Sequence, residues 1–371
     1  MTRIAVIGCG VVGAAIAYEL SLNPEFEVMV FEARTPGTAS TGAALGILMA
    51  IISHKVKGRN WQLRQRSWQR YQTLIPELEA ATGQTIRRNT AGLLNLCFDA
   101  DALPRWESLQ AIRREQGYSL EIWSPTQVAA ACPHLDIDNV AAGIFSPQDF
   151  QIDPVSLTQA LVRAATTNGV DFHFEQPVVN FAAASQGDTR ICRKVATSGA
   201  TFAVDEVVLA SGLGTTPLTH QLNQPTPIGP VLGQGLELDL GQALGNAEFQ
   251  PVINGDDIHV APLGAGRYWV GATVEFPPET TREEVLDLKP ERERLDEVLQ
   301  SAIAFCPSLA QGKIVRQWFG LRPRPQGQAA PVIKPVASYT NVWLATGHYR
   351  NGVLLAPATA LVVKDLLTNA P

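Results

Sequence analysis

The chain opens on a short apolar run, residues 4–7, followed by three spaced glycines and then a stretch of small and apolar residues at 11–20. An uninterrupted apolar run of that length predicts a strand buried on both faces of a parallel sheet, and the stretch behind it has helix length. A second strand is expected in "EVMVFEA". Residues 61–78 predict a helix, with Tyr71, Leu74, Ile75 and Leu78 at i, i+3, i+4 and i+7. Pro76 should kink or restart it. Residues 84–98 read as strand, turn, strand, 104–117 as helix and 139–145 as strand. Asp153 or Ser156 suits the cap of a helix with Pro154 in its first turn. "DEVVLASGLGTT" repeats the strand-to-glycine pattern, and Pro225, Pro227, Gly229 and Pro230 mark a crossover. Antiparallel strands are expected at 231–240, 248–262 and 267–275, with a hairpin turn at 264–266 between the last two. A charged amphipathic helix is expected at 281–304.

This order predicts an α/β protein: a Rossmann-like nucleotide-binding domain into which an antiparallel-sheet (α+β) substrate domain is inserted twice. The nucleotide domain would comprise 1–83, 144–222 and 316–371, and the substrate domain 84–143 and 223–315. The 46% apolar content of the 371 residues is enough for a sizeable core. A net charge of −6 disfavours nucleic acid as the main partner. The apolar stretches look short of the ~20 residues of a membrane helix, so no stable membrane insertion is expected. "MTRIAVIGCG" lacks a signal-peptide layout, which predicts a cytoplasmic protein. The five cysteines, Cys9, Cys97, Cys132, Cys192 and Cys306, are scattered and odd in number. Neither a disulfide framework nor a metal site is expected from them. Lys55, Lys57, Arg59, Arg64, Arg66 and Arg70 form a basic run, read as a solvated loop and helix face.

Chemistry enters with Gly8, Gly10 and Gly13 in GxGxxG spacing between a strand and a helix. The first permits a tight turn, the second lets a pyrophosphate approach the backbone, and the third lets helix and strand pack closely. The helix N-terminus then offers N–H groups to phosphates. Glu32, at the end of the second strand, suits the hydroxyls of a non-phosphorylated ribose, so FAD or NAD. A plain NAD fold would continue into a helix and a third strand. This chain gives instead a loop of small residues, Gly37, Thr38, Ser40, Thr41, Gly42, Ala43 and Ala44, followed by greasy "LGILMAII". That favours FAD. Near the C-terminus, "WLATGHYRNGVLLAPATALV" sets Arg350 and Asn351 between Gly347 and Gly352. A packed core requires neither glycine, whereas close approach of a ligand would use both.

With these pieces in order, the sequence resembles the D-amino-acid-oxidase-type flavoproteins, and within them the glycine oxidases of thiamine biosynthesis. The resemblance covers essentially the whole chain. It rests on GCGVVG with Glu32, STGAALG at 40–46, VVLASG at 207–212, GRYWVGATVE at 266–275, GLRPRP at 320–325 and ATGHYRNGVLLAP at 345–357, the last two being the most specific. It implies FAD held by Gly8, Gly10, Val11, Val12, Gly13, Glu32, Ala33, Ser40, Thr41, Gly42, Ala43, Ala44, Gly46 and Val178. Ala210, Ser211, Gly212, Gly347, His348, Arg350, Asn351, Gly352, Val353 and Leu354 would complete the cofactor site. Some relatives attach flavin through a cysteine near the GLRP segment; residues 317–328 contain none, so FAD should be non-covalent.

The resemblance further implies that Arg322 binds the substrate carboxylate, that Arg350 projects to the substrate side, and that Asn351 shapes its turn. Arg324 is read as structural, on the opposite face of its strand. His259 stands where these enzymes carry a Tyr that helps hold the carboxylate. The implied reaction is oxidative deamination of glycine or another small amino acid or N-methyl amino acid. Hydride passes from Cα to flavin N5, and the imine hydrolyses to the oxo acid. Oxygen or another acceptor takes the electrons, and a homo-oligomer is left open. The alternatives are a D-amino-acid, sarcosine-like or opine dehydrogenase or oxidase on the same scaffold, and a non-catalytic FAD-binding protein. Retention of Arg322 and Arg350 counts against the last.

Overall fold

A computed structural model describes residues 1–277 and 291–368. The opening run forms strand Thr2–Ile7, with Ile4, Ala5 and Val6 fully buried. It lies near the middle of a six-stranded sheet ordered Val332–Pro335, Val342–Thr346, Glu206–Leu209, Thr2–Ile7, Phe26–Phe31, Asp171–His173. All neighbours in it are parallel except the first pair. One face is covered by helices Val11–Ser21, Gly58–Thr82, Pro154–Thr167 and Gly352–Thr368, whose apolar sides form one core. Tyr71, Leu74, Ile75 and Leu78 all enter that core, as their spacing predicts, and Pro76 lies within an unbroken helix. Asp153 caps Pro154–Thr167 through the N–H groups of Val155 and Ser156. A small antiparallel sheet, Val178–Gln186, Thr189–Thr197 and Thr201–Ala203, packs on the other face.

The second sheet has eight strands, ordered Lys313–Pro325, Ile228–Asp239, Arg267–Gly271, Ile258–Gly264, Val252–Gly255, Leu93–Cys97, Ala142–Ser146, Glu121–Trp123. Every neighbouring pair is antiparallel except Val252–Gly255 with Leu93–Cys97. This mixed α/β architecture is the expected class.

Several local expectations change. Residues 84–98 are not one hairpin: Arg88–Asn89 joins a three-stranded sheet with Phe150–Ile152, while Leu93–Cys97 joins the eight-stranded one. The single strand expected at 248–262 is two, broken by Asp256 and Asp257 at φ +47° and +65°. The expected helix at 281–304 is described from Arg292 to Phe305, and 278–290 lie outside the described residues. Strands Ala142–Ser146 and Lys313–Pro325 pair in the eight-stranded sheet, so domain boundaries at 143/144 and 315/316 would cut through them. The stretch Tyr349–Thr368 is long and apolar enough to cross a membrane by composition, contrary to the reading of short apolar stretches, but over half of its most apolar 18 residues are buried inside the protein.

In the basic run Lys55, Lys57 and Arg59 are exposed, as expected, but the three arginines that follow are held by partners. Arg64 donates to the Met49 carbonyl and the Asn351 side chain, both at 3.0 Å. Arg66 pairs with Asp365, and Arg70 with Glu19 and Glu77. These charges tie the helix to distant segments.

A loop from Ala43 to Val56 crosses the second sheet and has almost no regular structure of its own. Its backbone groups need partners from elsewhere. Asp149, fully buried, accepts from the N–H groups of Ala50, Ile51 and Ile52 at 2.7, 2.9 and 2.8 Å. Arg113, also fully buried, donates to the carbonyls of Ile51, Ser53 and Lys55 and lies over the Trp61 ring. Asp149→Ala should therefore strand three buried N–H groups, at about 1–3 kcal/mol each before water relaxes in. The expected loss is at least about 3 kcal/mol in urea unfolding; a change below about 1 kcal/mol would contradict this role.

Candidate active site

The turn after the first strand is shaped by close contact. Gly8 has φ +103°, and a Cβ there would meet the Ala210 carbonyl oxygen at 2.7 Å. A Cβ on Gly13 would fall 1.9 Å from the Gly8 carbonyl oxygen, so helix and strand pack at glycine distance. Gly10 caps helix Val11–Ser21 without any side-chain bond, which leaves first-turn N–H groups for a ligand's oxygens. Val11 N–H goes to the Thr41 hydroxyl at 3.1 Å, so the small-residue loop is anchored to this turn. The Glu32 carboxylate accepts from Cys9 N–H at 2.6 Å and Arg34 N–H at 2.9 Å. It is fixed beside the glycine turn, where a ribose would lie. The Glu32 carbonyl accepts from Gln176 N–H, which brings the start of the Val178 strand to the same edge. Ala33, Ala210, Ser211 and Gly212 border this region in the chain, and Gly212 has φ +55°.

The opposing wall is a face of the eight-stranded sheet stripped of side chains. Directly paired residues share a face. Gly233 pairs with Gly320, Gly235 with Trp318 and with Gly271, and Gly271 with His259. The loop from 40 onward runs across this face. Ser40 donates to the Leu321 carbonyl at 2.6 Å, and Trp318 Nε1–H donates to the Ala43 carbonyl at 3.0 Å. A Cβ on Gly320 would meet Ala43 Cβ at 2.3 Å, and one on Gly271 would meet Leu45 at 3.4 Å. Gly46, at φ +70°, sits 1.8 Å from the Ile152 carbonyl oxygen by the same test.

Arg322 lies at one end of this strip. Its guanidinium rests over Gly233, where a Cβ would be 2.2 Å from Nη2. Nη1 donates to the carbonyls of Leu232 and Thr273 at 3.1 and 3.0 Å. Nε and Nη2 have no acceptor among the described residues, so one edge of the fork is held and another is free. Burial, and then the Arg350 charge, push the Arg322 pKa below its usual value. Arg350 reaches the same region, 3.6 Å from Asp257. His259 stands between them in charge terms: burial, then Arg350 and Arg322, push its pKa down to about 4, although Asp257 acts the other way. Its Nδ1 is sealed from solvent and lacks a partner. Sequence reasoning thus named three residues that the fold does bring together. It missed the glycine strip under them, which only strand register reveals.

Other expectations need correction. Arg324 shares the face of Arg322, since a strand alternates faces at every residue; its guanidinium lies 5.1 Å from the Phe276 ring and 5.7 Å from the Tyr349 ring. His348 turns its ring away into the helical core, with Nε2 2.8 Å from the Thr359 hydroxyl, so only its backbone can serve a ligand. Gly347 does require glycine, with φ +65° and Pro325 at 2.6 Å from an added Cβ. Gly352 is helical at φ −57°, and its nearest such neighbour is 3.8 Å away. Asn351 shapes its turn as expected: its N–H goes to the His348 carbonyl and its side chain holds Arg64. Val353 gives its carbonyl to Tyr71, and Leu354 is buried beside it. Among the described residues no group of three or more His, Cys, Asp or Glu could hold a metal.

A glycine-turn dinucleotide cradle, tied by its small-residue loop to an antiparallel sheet that carries a half-buried arginine, is the arrangement of a flavin-dependent oxidoreductase. The glycine turn with Glu32 beside it would hold the dinucleotide, and the small-residue loop anchored to that turn through Thr41 lies next to it, so the residues present fit FAD. The chain belongs to the family described as FAD dependent oxidoreductase (DAO), whose model matches residues 3–366. It is 29% identical to the glycine oxidase of Bacillus subtilis (strain 168), over 98% of this chain and 92% of that one. It is 31% identical to the bifunctional protein ThiO/ThiG of Nostoc sp. (strain PCC 7120 / SAG 25.82 / UTEX 2576), matching 99% of this chain and 53% of that longer protein. The crystal structure of glycine oxidase from Geobacillus kaustophilus superposes with a TM-score of 0.86 at 25% identity, covering 100% of this chain and 96% of that one. The cofactor is FAD.

Two outcomes follow from this geometry. Glu32→Ala should weaken FAD binding at least about tenfold, since each charge-assisted bond contributes roughly 1.5–3 kcal/mol at most. Titration of apoprotein with FAD checks it, and an unchanged Kd would contradict the assignment. Second, His259 and His348 are held neutral, at about 4 and about 3. An unfolded histidine takes its proton near 6.5, so both groups make stability fall as pH drops from about 6.5 toward about 4. Urea midpoints should decline over that window, and less steeply in His259→Phe.

Proposed function

We propose that this protein oxidises the Cα–N bond of glycine or another small amino or N-methylamino acid to an imine, which water hydrolyses to the oxo acid. The observation that carries the reading is Arg322. A half-buried guanidinium, oriented by two carbonyls and left open on another edge, fits a carboxylate better than any structural duty. Similarity to glycine oxidases supports a small substrate. We also assign the eight-stranded sheet to the substrate unit and the six-stranded sheet to a unit holding FAD non-covalently, with the boundaries moved to keep Ala142–Ser146 and Lys313–Pro325 whole.

Arg322 fixes the carboxylate, and Gly233 gives the guanidinium room to lie flat against the sheet. Placement of this kind can supply much of the rate. The amine must be neutral for its lone pair to assist departure of the Cα hydride. Arg322 and Arg350 together disfavour a protonated amine beside them, and so favour the reactive form. His259, held neutral, is too weak a base to take an ammonium proton; its use is as a hydrogen-bonding group. FAD, when bound, supplies the two-electron acceptor for the hydride. Oxygen or another acceptor completes the cycle.

Arg322→Ala should lower kcat/KM by a few hundred- to a few thousand-fold, roughly 3–5 kcal/mol, with FAD retained. Arg322→Lys should recover only part, because an ammonium cannot form the fork. Stopped-flow flavin reduction with glycine or sarcosine is the measurement. Normal reduction in both variants would end the amino-acid reading. Gly233→Ala displaces only the tip of Arg322, so it should keep the fold but lose at least about tenfold in kcat/KM. Circular dichroism beside the same kinetics separates the two effects.

A further inference from the structure

The turn that carries Arg350 is strained. Tyr349 has φ +52°, in the left-handed region, and it is a bulky residue. Such a backbone persists only where its surroundings over-determine it. Here both ends of the turn are pinned. On one side Gly347, at φ +65°, lies against Pro325, and the buried His348 ring sets Nε2 2.8 Å from the Thr359 hydroxyl. On the other side the Asn351 carboxamide oxygen accepts from Arg64 Nη2 at 3.0 Å. Asn351 N–H donates to the His348 carbonyl at 3.0 Å and closes the turn. Tyr349 and Arg350 lie between these two pins in the chain.

Arg350 itself is held weakly. Its ionic partner is Asp257 at 3.6 Å, and the two side chains are 39% and 78% exposed. A pair so open to water does little to fix a long side chain. The place of Arg350 therefore depends on the backbone of its turn. Arg64 is the firmer hold. It is half-buried on the helix Gly58–Thr82, 287 positions from Asn351, and its Nη1 donates to the Met49 carbonyl at 3.0 Å. One planar fork thus joins the helix to two other segments at a fixed angle, which an ammonium group could not do.

We propose that Arg64 is a positioning residue for Arg350: by gripping Asn351 it holds the strained Tyr349–Asn351 turn in the arrangement that aims Arg350 to the substrate side. This rests on the reading that Arg350 faces the substrate and deepens it, because a helix remote in sequence becomes part of the anion site. Release of the Asn351 side chain lets Tyr349 relax to negative φ and carries Arg350 out of place. A shift of about 1 Å in a binding group can cost up to about a hundredfold in rate.

Arg64→Met and Asn351→Ala remove the two ends of the grip, and the second leaves Arg64 in place should the first fail to fold. Each is also combined with Arg350→Ala. Flavin reduction by glycine is measured on the holoenzymes, beside calorimetric titration with glycolate, which has the carboxylate but no amine. Each single variant should lower kcat/KM and weaken glycolate about tenfold, with FAD retained; in the Arg350→Ala background the same changes should cost less than about twofold. Arg64→Lys should recover only part of the loss. An equal loss in both backgrounds reveals a general structural role and overturns the proposal, as do two silent single variants. If Arg350→Ala alone leaves both glycine and glycolate untouched, the substrate-side reading of Arg350 is refuted instead. Hydrogen exchange across residues 347–352 then decides the grip by itself: faster exchange in both variants supports it, and unchanged exchange rejects it.

Discussion

Gly233, Gly235, Gly271 and Gly320 leave four neighbouring positions on one sheet face without a Cβ. A sheet face normally closes against its neighbour through interdigitating side chains about 10 Å deep. Here the loop from Ser40 descends almost to the backbone, with Ala43 above Gly320 and Leu45 above Gly271. Arg322 can lie flat over Gly233 for the same reason. The cradle at Gly8 and Gly13 obeys the same constraint on the other sheet, where backbone meets backbone. Removing side chains at these positions is what lets the loop, the Arg322 guanidinium and the first helix each lie against bare backbone.

Such a site concentrates positive charge. Arg322 and Arg350 act on each other and on His259, while Asp257 faces Arg350 and Glu275 acts on Arg322. Burial weakens solvent screening around Arg322 and His259, whereas Arg350 and Asp257 are exposed and more strongly screened. The consequence is a division of labour. The guanidinium groups suit an anion, and the imidazole is kept neutral beside them. In the related glycine oxidases the sequence resemblance puts a Tyr at this position. A phenol and a neutral imidazole both offer a hydrogen bond, but the imidazole is shorter and exposes a second nitrogen to the strand behind it.

How legible all this was depends on the span of the contact. Gly8, Gly10, Gly13 and Glu32 lie within one βαβ unit, and their spacing alone implies their geometry. Arg322 and Arg350 were legible through motif resemblance. The glycine strip was not, because its members sit on three strands and align only when register is known; a slip of one residue would put them on opposite faces. Gly229 and the prolines before it looked like crossover punctuation, and Gly233 and Gly235 were lost in the same stretch. The second half of the basic run was misread because Asn351 and Asp365, which Arg64 and Arg66 engage, are nearly 300 positions away. Residues 84–98 read as strand, turn, strand, yet the two halves pair with different sheets.

Asp149 and Arg113 carried no local signal at all, and they decide how the site behaves mechanically. A connecting segment is usually mobile, since its backbone is solvated and makes few fixed bonds. The 43–56 segment is the opposite case. Its N–H groups converge on a buried carboxylate, its carbonyls converge on a buried guanidinium, and Arg64 ties Met49 to the Asn351 turn. Breaking any of these leaves a charge or a polar group unpaired inside the protein, which costs far more than an exposed bond would. The roof over the substrate face is therefore a fixed wall and not a lid. A fixed wall selects substrates by size and by matching of hydrogen bonds. Accordingly, Met49 and Ile52, carried on that wall, keep a fixed place against Leu93, Ile144, Val252 and Ala261, and the shape of this end of the sheet face is set before any ligand arrives.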